Sequence, residues 1–237
     1  MIIKPHDPYQ EALDFKIDEK GYLASFVPGS NGSLIHILQQ AMAQGQHELY
    51  YVFGPHGCGK THLMTALFRA SALAPSQVFF LDLTLAKALS PLLLGLDVPK
   101  LIILDNVDAL SGDSQWELAL FGLFNRWVDS RQGLFIATAT CSPDRLPFAM
   151  PDLITRFENG VSCPLEPLSE EDCQQALMLK AQLRGFKMSP RVAAYLVRHL
   201  NRDMRKLSAT LDVLDKATLE AQHELTVPFV KKILELN

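Results

Sequence analysis

Apolar residues fall along this chain in two rhythms. In its first two thirds they cluster in short runs, unbroken over Tyr50 to Phe53 and Leu101 to Leu104 and interrupted by a few polar residues over Gln77 to Leu83, Leu134 to Thr140 and Val161 to Leu165. Runs apolar on both faces are what buried strands of a parallel sheet require. Between the runs, apolar residues recur at three- and four-residue spacing, the signature of amphipathic helices. Such stretches are Leu34 to Met42 (capped near Asn31 or Ser33), His62 to Leu67, a segment through about Leu85–Leu94, and Trp116 to Asp129, where Trp116, Leu120, Leu123, Phe124 and Trp127 share a face. Beyond Pro167 every segment reads as helix. Ser169-Glu170-Glu171-Asp172 forms a capping box opening one helix to about Arg184, and Ser189-Pro190 opens a second through Leu200. Arg202 to Gln222 is a third, and Thr226-Val227-Pro228 starts a short last one. The pattern predicts an α/β base domain over residues 21–166, a parallel sheet flanked by helices, followed by a small all-α four-helix domain over 167–237. Residues 1–20 are polar, mixed in charge and without sustained periodicity, which predicts a flexible tail.

The junction of the first run with the helix after it carries the clearest chemistry. Tyr50 to Phe53 leads directly into Gly54-Pro55-His56-Gly57-Cys58-Gly59-Lys60-Thr61, and His62 continues with helical spacing. Strand, glycine-rich loop, helix is the context of a phosphate-binding P-loop. Glycines let backbone N–H groups close around a polyphosphate without Cβ clashes, and the helix N-terminus favours the negative charge. Lys60 would reach the β- and γ-phosphates and the Thr61 hydroxyl would ligate Mg²⁺, with ADP or ATP as the nucleotide.

The run Leu101 to Leu104 ends in Asp105. Ligands of parallel sheets bind beyond the carboxyl ends of the strands, so Asp105 is expected beside the P-loop, holding Mg²⁺ in part through water. Its neighbour Asn106 can position a water but cannot take its proton, and Asp108 stands further along. Slow intrinsic hydrolysis is therefore expected. The run Leu134 to Thr140 ends in hydroxyls, so Thr138 or Thr140 is a candidate for touching a terminal phosphate.

Composition narrows the picture. The 237 residues carry 48% hydrophobic and 20% charged side chains, ordinary for a chain with a real core. A net charge of −4 argues against a dedicated, strongly basic nucleic-acid binder. Cys58, Cys141, Cys163 and Cys173 show no CxxC pair and no metal-ligand spacing, which fits reduced thiols; oxidation of Cys58 would block the phosphate loop. The N-terminus has no apolar signal core, and the most apolar run, Leu92-Leu93-Leu94-Gly95-Leu96, is too short to span a bilayer. A cytoplasmic protein without membrane contact is expected.

Over nearly its full length the chain resembles the DnaA branch of the AAA+ family. The matching segments are Phe26-Val27-Pro28-Gly29 with Asn31, Gly54 to Thr61, Leu104-Asp105-Asn106, Thr155-Arg156-Phe157-Glu158 and Asp203-Met204-Arg205-Lys206-Leu207. Initiators of that branch continue into a helix-turn-helix domain, whereas this sequence stops at Asn237; it also has only Lys87 between Thr84 and Asp97, where an initiator has longer basic helices that grip single strands. Leu225 to Leu234 and Phe124-Asn125-Arg126 are similar to the short Hda-type members, which pair with the DNA-loaded sliding clamp and make DnaA hydrolyse its ATP.

The resemblance implies a base-plus-lid AAA+ fold and a negative regulator of replication initiation, with DnaA and the DNA polymerase III sliding clamp (β subunit) as partners. DNA would be met mainly through the clamp, and self-assembly stays open. Arg156 matches an arginine finger acting in trans on the nucleotide of DnaA. Arg205 matches sensor 2, touching phosphates from the lid, and Thr138 or Thr140 falls at sensor 1. Where active AAA+ ATPases usually carry a second acid, this chain has Asn106. In the tail, Gln10, Leu13 and Phe15 resemble the peptide that bacterial replication proteins insert into the clamp, although Glu11 stands where Leu is common. Hda-type proteins often have an eroded P-loop and this one is intact, which favours firm nucleotide binding. The alternative is an adaptor, like the helicase loaders, that binds DNA or origin proteins and uses its own ATP cycle; a nucleotide-stabilised scaffold is a third reading.

Overall fold

The computed structural model describes residues 23–95, 97–200, 202–221 and 225–235. Gln10, Leu13 and Phe15 lie outside the described residues. Five strands form one parallel sheet: β1 (Leu49–Phe53), β2 (Val78–Asp82), β3 (Leu101–Asp105), β4 (Leu134–Ala139) and β5 (Val161–Pro164), in the order β2-β3-β4-β1-β5. β1 pairs with β4 and β5, and β3 pairs with β2 and β4. Every pairing is parallel, so all carboxyl ends meet at one edge. The order reverses at β1, and the P-loop leaves the sheet there, where a crevice opens at the strand ends.

Side-chain alternation along the strands builds two cores. On one face Tyr51, Ile102, Leu104, Phe135 and Ala137 pack against α3 (Ser114–Ser130) and α4 (Pro151–Glu158) through Trp116, Leu120, Phe124, Trp127, Leu153 and Phe157. On the other, Tyr50, Val52, Leu101, Ile103, Leu134 and Ile136 pack against α1 (Gly32–Gln44) and α2 (Lys60–Ala70) through Leu38, Ala41, Leu63, Met64 and Leu67. β3 and β4 are buried throughout, which is why their sequences alternate so little. Each large side chain so covered contributes about 1.5–3 kcal/mol relative to exposure.

The C-terminal helices share a third core. They are α5 (Glu170–Leu183), α6 (Pro190–His199), α7 (Met204–Ala221) and α8 (Val227–Leu234), joined through Leu177, Ala181, Val192, Leu196, Leu207, Leu211, Leu214 and Val230. Three of their starts are capped as the sequence predicts. Ser169 accepts from the Asp172 N–H at 3.1 Å, Ser189 from Val192 at 3.4 Å and Thr226 from Phe229 at 3.4 Å.

Two expectations are corrected and one element is added. The helix expected through Leu85–Leu94 is two 3₁₀ turns, Leu83–Ala88 and Pro91–Gly95. Pro91 has no N–H to continue a helix and drives Ser90 out of helical backbone. Asn31 precedes α1 without capping it. Its side chain instead forms a two-way amide bridge with Glu166, Nδ2 to the carbonyl at 2.9 Å and Oδ1 from the N–H at 2.8 Å, which pins the N-terminal segment to the exit of the sheet. Finally α4, which the apolar pattern does not single out, is a regular helix opened by Pro151.

Candidate nucleotide site

The glycine-rich loop runs from β1 into α2 and needs its glycines for separate reasons. Gly57 and Gly59 take φ of +80° and +105°, a backbone that side chains resist. Gly54 is a matter of space: a Cβ there would stand 2.4 Å from the Leu165 carbonyl oxygen. Lys60 is only 5% exposed. Its Nζ donates to the carbonyls of Gly54 at 2.7 Å and Pro55 at 3.1 Å, so the ammonium lies curled beneath the loop.

Behind the loop stands a buried carboxylate. Asp105 is fully buried and both its oxygens are engaged, by Thr61 Oγ1 donating to Oδ2 at 2.6 Å and Thr138 Oγ1 donating to Oδ1 at 2.5 Å. Burial pushes the Asp105 carboxyl above the usual range; the two hydroxyls only partly offset this, and Asp82 adds to the rise. Thr138 also accepts the Asn106 N–H at 2.9 Å. Asn106 has φ of 60° and points its amide sideways, donating to Asp82 Oδ1 at 3.0 Å. Thr140 lies apart, its hydroxyl and N–H both donating to Asp108.

A cleft of about 470 Å³ opens over the loop, within the range of ligand pockets. His56 to His62 line it from the base, with Thr84 and Asn106 beside them. Phe26 and Val27 roof one side, the Phe26 ring meeting His62 edge-on at 5.1 Å. Leu168, Ala176, Lys180, Met204, Arg205 and Ser208 close it from the helical domain. Arg205 leans on Asp203, NH2 to Oδ2 at 3.3 Å, and that contact together with the backbone N–H groups of Arg205 and Lys206 outweighs partial burial to hold the Asp203 carboxyl below its ordinary value. Asp203 also touches the loop's apex, its Oδ1 2.8 Å from where a Gly57 Cβ would be. Burial raises the Cys58 thiol, and Lys60 beside it only partly offsets this, which disfavours the reactive thiolate.

Sequence-predicted residues are thus brought together in part. Gly57, Cys58, Gly59, Lys60, Thr61, His56, His62, Asn106 and Arg205 share the cleft; Asp105 and Thr138 back it from within the sheet. For Thr138 to reach a bound phosphate it would have to leave Asp105. Arg156 does not line this cleft. Its guanidinium carbon lies 5.0 Å from the Phe121 ring centre and 5.5 Å from that of Phe124, on the opposite layer of the sheet. Two site residues escape a reading by motif. Asp82 carries the same signal as Asp105, an acid closing an apolar strand. Asp203 is visible only once the helical domain is folded over the loop.

The donor set suits a magnesium–nucleotide. Thr61 and Asp105, hydrogen-bonded to each other at 2.6 Å, would supply the hard oxygen donors that Mg²⁺ takes. Among the described residues no group of three or more His, Cys, Asp or Glu side chains is placed to hold a metal ion by itself.

Comparison with known proteins agrees with this layout. Residues 170–234 match the family model described as Hda, lid domain, and residues 50–165 match that of the ATPase family associated with various cellular activities. Domain III of the Thermotoga maritima replication initiation protein DnaA is similar in fold, with TM-score 0.78, 19% identity and 98% of each chain covered. AMPPCP-bound DnaA from Aquifex aeolicus gives TM-score 0.69 at 21% identity, over 86% of this chain and 67% of that one. The Thermotoga maritima RuvB Holliday junction branch migration motor gives 0.68 at 16%, over 91% and 72%.

Proposed function

This chain belongs to the DnaA-related AAA+ proteins and carries an Hda-type lid, and from that premise we propose that it switches off the initiator DnaA by completing DnaA's ATPase site in trans. One observation carries the reading. Arg156 stands on α4 away from the chain's own cleft, held over two aromatic rings, while the cleft itself has the amide of Asn106 tied to Asp82 where a catalytic acid would be needed. A cation parked outside its own site is available to a neighbour's; an amide tied sideways leaves the chain's own nucleotide without a base. In this reading the cleft holds ADP or ATP as a resident ligand. Lys60 and the loop N–H groups would bind its phosphates, Arg205 would leave Asp203 to touch them from the lid, and Thr61 and Asp105 would hold Mg²⁺, which when bound would neutralise phosphate charge. The tail residues Gln10, Leu13 and Phe15 dock on the sliding clamp and raise the local concentration near replicating DNA.

The test is phosphate release from ATP pre-bound to DnaA, with clamp loaded on DNA, with and without this protein. Stimulation is expected, and Arg156→Ala should remove about 10³-fold or more of it, the range of trans-acting fingers. Gln10→Ala should raise the amount of protein needed without lowering the plateau. Unchanged DnaA hydrolysis would sink the reading. The intact loop, with Gly57 and Gly59 at positive φ, favours a second reading, an adaptor driven by its own ATP cycle. Robust DNA-stimulated self-hydrolysis would select it.

A further inference from the structure

Glu117 is a buried carboxylate that the nucleotide site does not use. It lies on α3, 1% exposed, and accepts three backbone N–H bonds. Gly112 and Ala149 donate to Oε1 at 3.0 and 3.1 Å, and Met150 donates to Oε2 at 2.9 Å. Met150 is the residue from which α4 starts, and it brings no side-chain cap of its own. The same helix α3 supplies Phe121 and Phe124, the rings under Arg156. One helix therefore grips α4 at both ends: by charge at its first residue and by aromatic faces near its last turn.

Each contact fixes a different freedom of α4. Leu153 and Phe157, one turn apart and fully buried, set the rotation of the helix about its axis, with Phe157 meeting Phe124 edge-on at 5.8 Å. Neither stops an eight-residue helix from sliding along that axis. The Met150 N–H on Glu117 does, because a hydrogen bond is lost within a few tenths of an ångström whereas an apolar contact slides. Placing an ionised group where water cannot reach it is costly unless it is fully bonded, so a purely apolar residue would be the simpler choice at this core position. We infer that Glu117 is a positioning residue for Arg156, setting the axial placement of α4 so that the guanidinium is presented at fixed height to the neighbouring nucleotide site. The inference rests on the finger reading of Arg156.

Glu117→Gln tests it with little change of volume. The amide can keep the bonds on one oxygen, but its NH2 must then face the Met150 N–H, donor against donor. In the DnaA phosphate-release assay with loaded clamp, the maximal stimulated rate should fall roughly 10²-fold, as an ångström of misplacement can cost. The DnaA concentration giving half-maximal rate should stay within roughly twofold, because binding surfaces are untouched. Nucleotide affinity of the variant's own cleft should also be unchanged. In an Arg156→Ala background, Glu117→Gln should have no further effect. Should the glutamine variant lose nucleotide binding or fold poorly, Met150→Pro, which deletes the donor and keeps the carboxylate, replaces it with the same expectations. Three outcomes overturn the inference. If Glu117→Gln leaves the rate intact while Arg156→Ala abolishes it, only the positioning role fails. If the two substitutions lower the rate independently, Glu117 acts other than through Arg156. If Arg156→Ala itself is silent, the finger reading fails and the positioning role with it.

Discussion

Asp105 shows how a single buried acid sets the behaviour of the site. It is fully buried, and that burial raises its carboxyl above the ordinary range. Protonation then supports folding: the contribution is present below the unfolded-state pKa of the carboxyl and is lost as pH rises through the higher folded value. Above that range an ionised carboxyl at this buried position costs stability that an amide there would not. Asp105→Asn should therefore raise the protein's stability toward neutral pH, and the gain should vanish in acid. The same substitution should weaken magnesium–nucleotide binding. Melting curves from pH 4 to 8 on both proteins check this; an asparagine variant less stable than the parent at every pH would refute the account. Site chemistry here opposes stability, as expected where a charge is kept for a ligand.

At the scale of elements, the turn from β1 through the loop into α2 is constrained from two sides. One constraint is conformational, at Gly57 and Gly59. The other is steric, since β1 and the exit of β5 approach so closely at Gly54 that a methyl group would meet the Leu165 carbonyl at 2.4 Å and Cys58 Sγ at 3.0 Å. Gly54→Ala should cost about 1–3 kcal/mol, because backbone rather than a mobile side chain must give way. Denaturant unfolding should show a lowered midpoint with an unchanged slope. A midpoint equal to that of the parent would mean the strand ends separate more easily than their hydrogen bond, Leu165 N–H to the Phe53 carbonyl at 2.7 Å, indicates.

Across the whole molecule, base and lid meet at the cleft through a small set of polar contacts. From the lid, Asp203 rests against Gly57 while holding Arg205, and Asp172 Oδ2 stands 3.0 Å from where a Gly29 Cβ would be; Asn31 and Glu166 bridge within the base, just before the lid begins. A ligand that draws on both sides should stabilise both. At a nucleotide concentration of roughly 100 times Kd the gain is about 2.7 kcal/mol, which for a chain of this size is roughly 5–11 °C in Tm. Arg205→Ala should shrink that shift by weakening affinity, with little effect on the ligand-free Tm, since Arg205 is exposed and its pairing with Asp203 is local. Absence of any shift with ADP or ATP would remove the resident-nucleotide reading. No helix among the described residues is long and apolar enough to cross a membrane.

Sequence alone determined the parallel sheet, the helical lid and the phosphate loop. Each rests on local pattern: apolar runs, three-and-four spacing, caps at Ser169, Ser189 and Thr226, and glycines flanking Lys60. It also placed Asp105 at a strand tip, because an acid closing an apolar run has no other exit from a buried sheet. What only the tertiary structure decided are relations between segments distant in sequence. Asn31 reads as a cap and is a bridge to Glu166, 135 residues away. Asp82 gains its role from lying beside β3, where it meets Asn106. The stretch through Leu85–Leu94 has helical spacing, yet Pro91 and the bond from Arg126 to the Leu94 carbonyl hold it in short turns. Nothing in the apolar spacing singles out Glu117, which is a buried carboxylate bonded to the N–H from which α4 starts. Periodicity reports which face of an element is covered; which distant backbone N–H groups arrive to satisfy a buried carboxylate depends on how the chain packs in three dimensions.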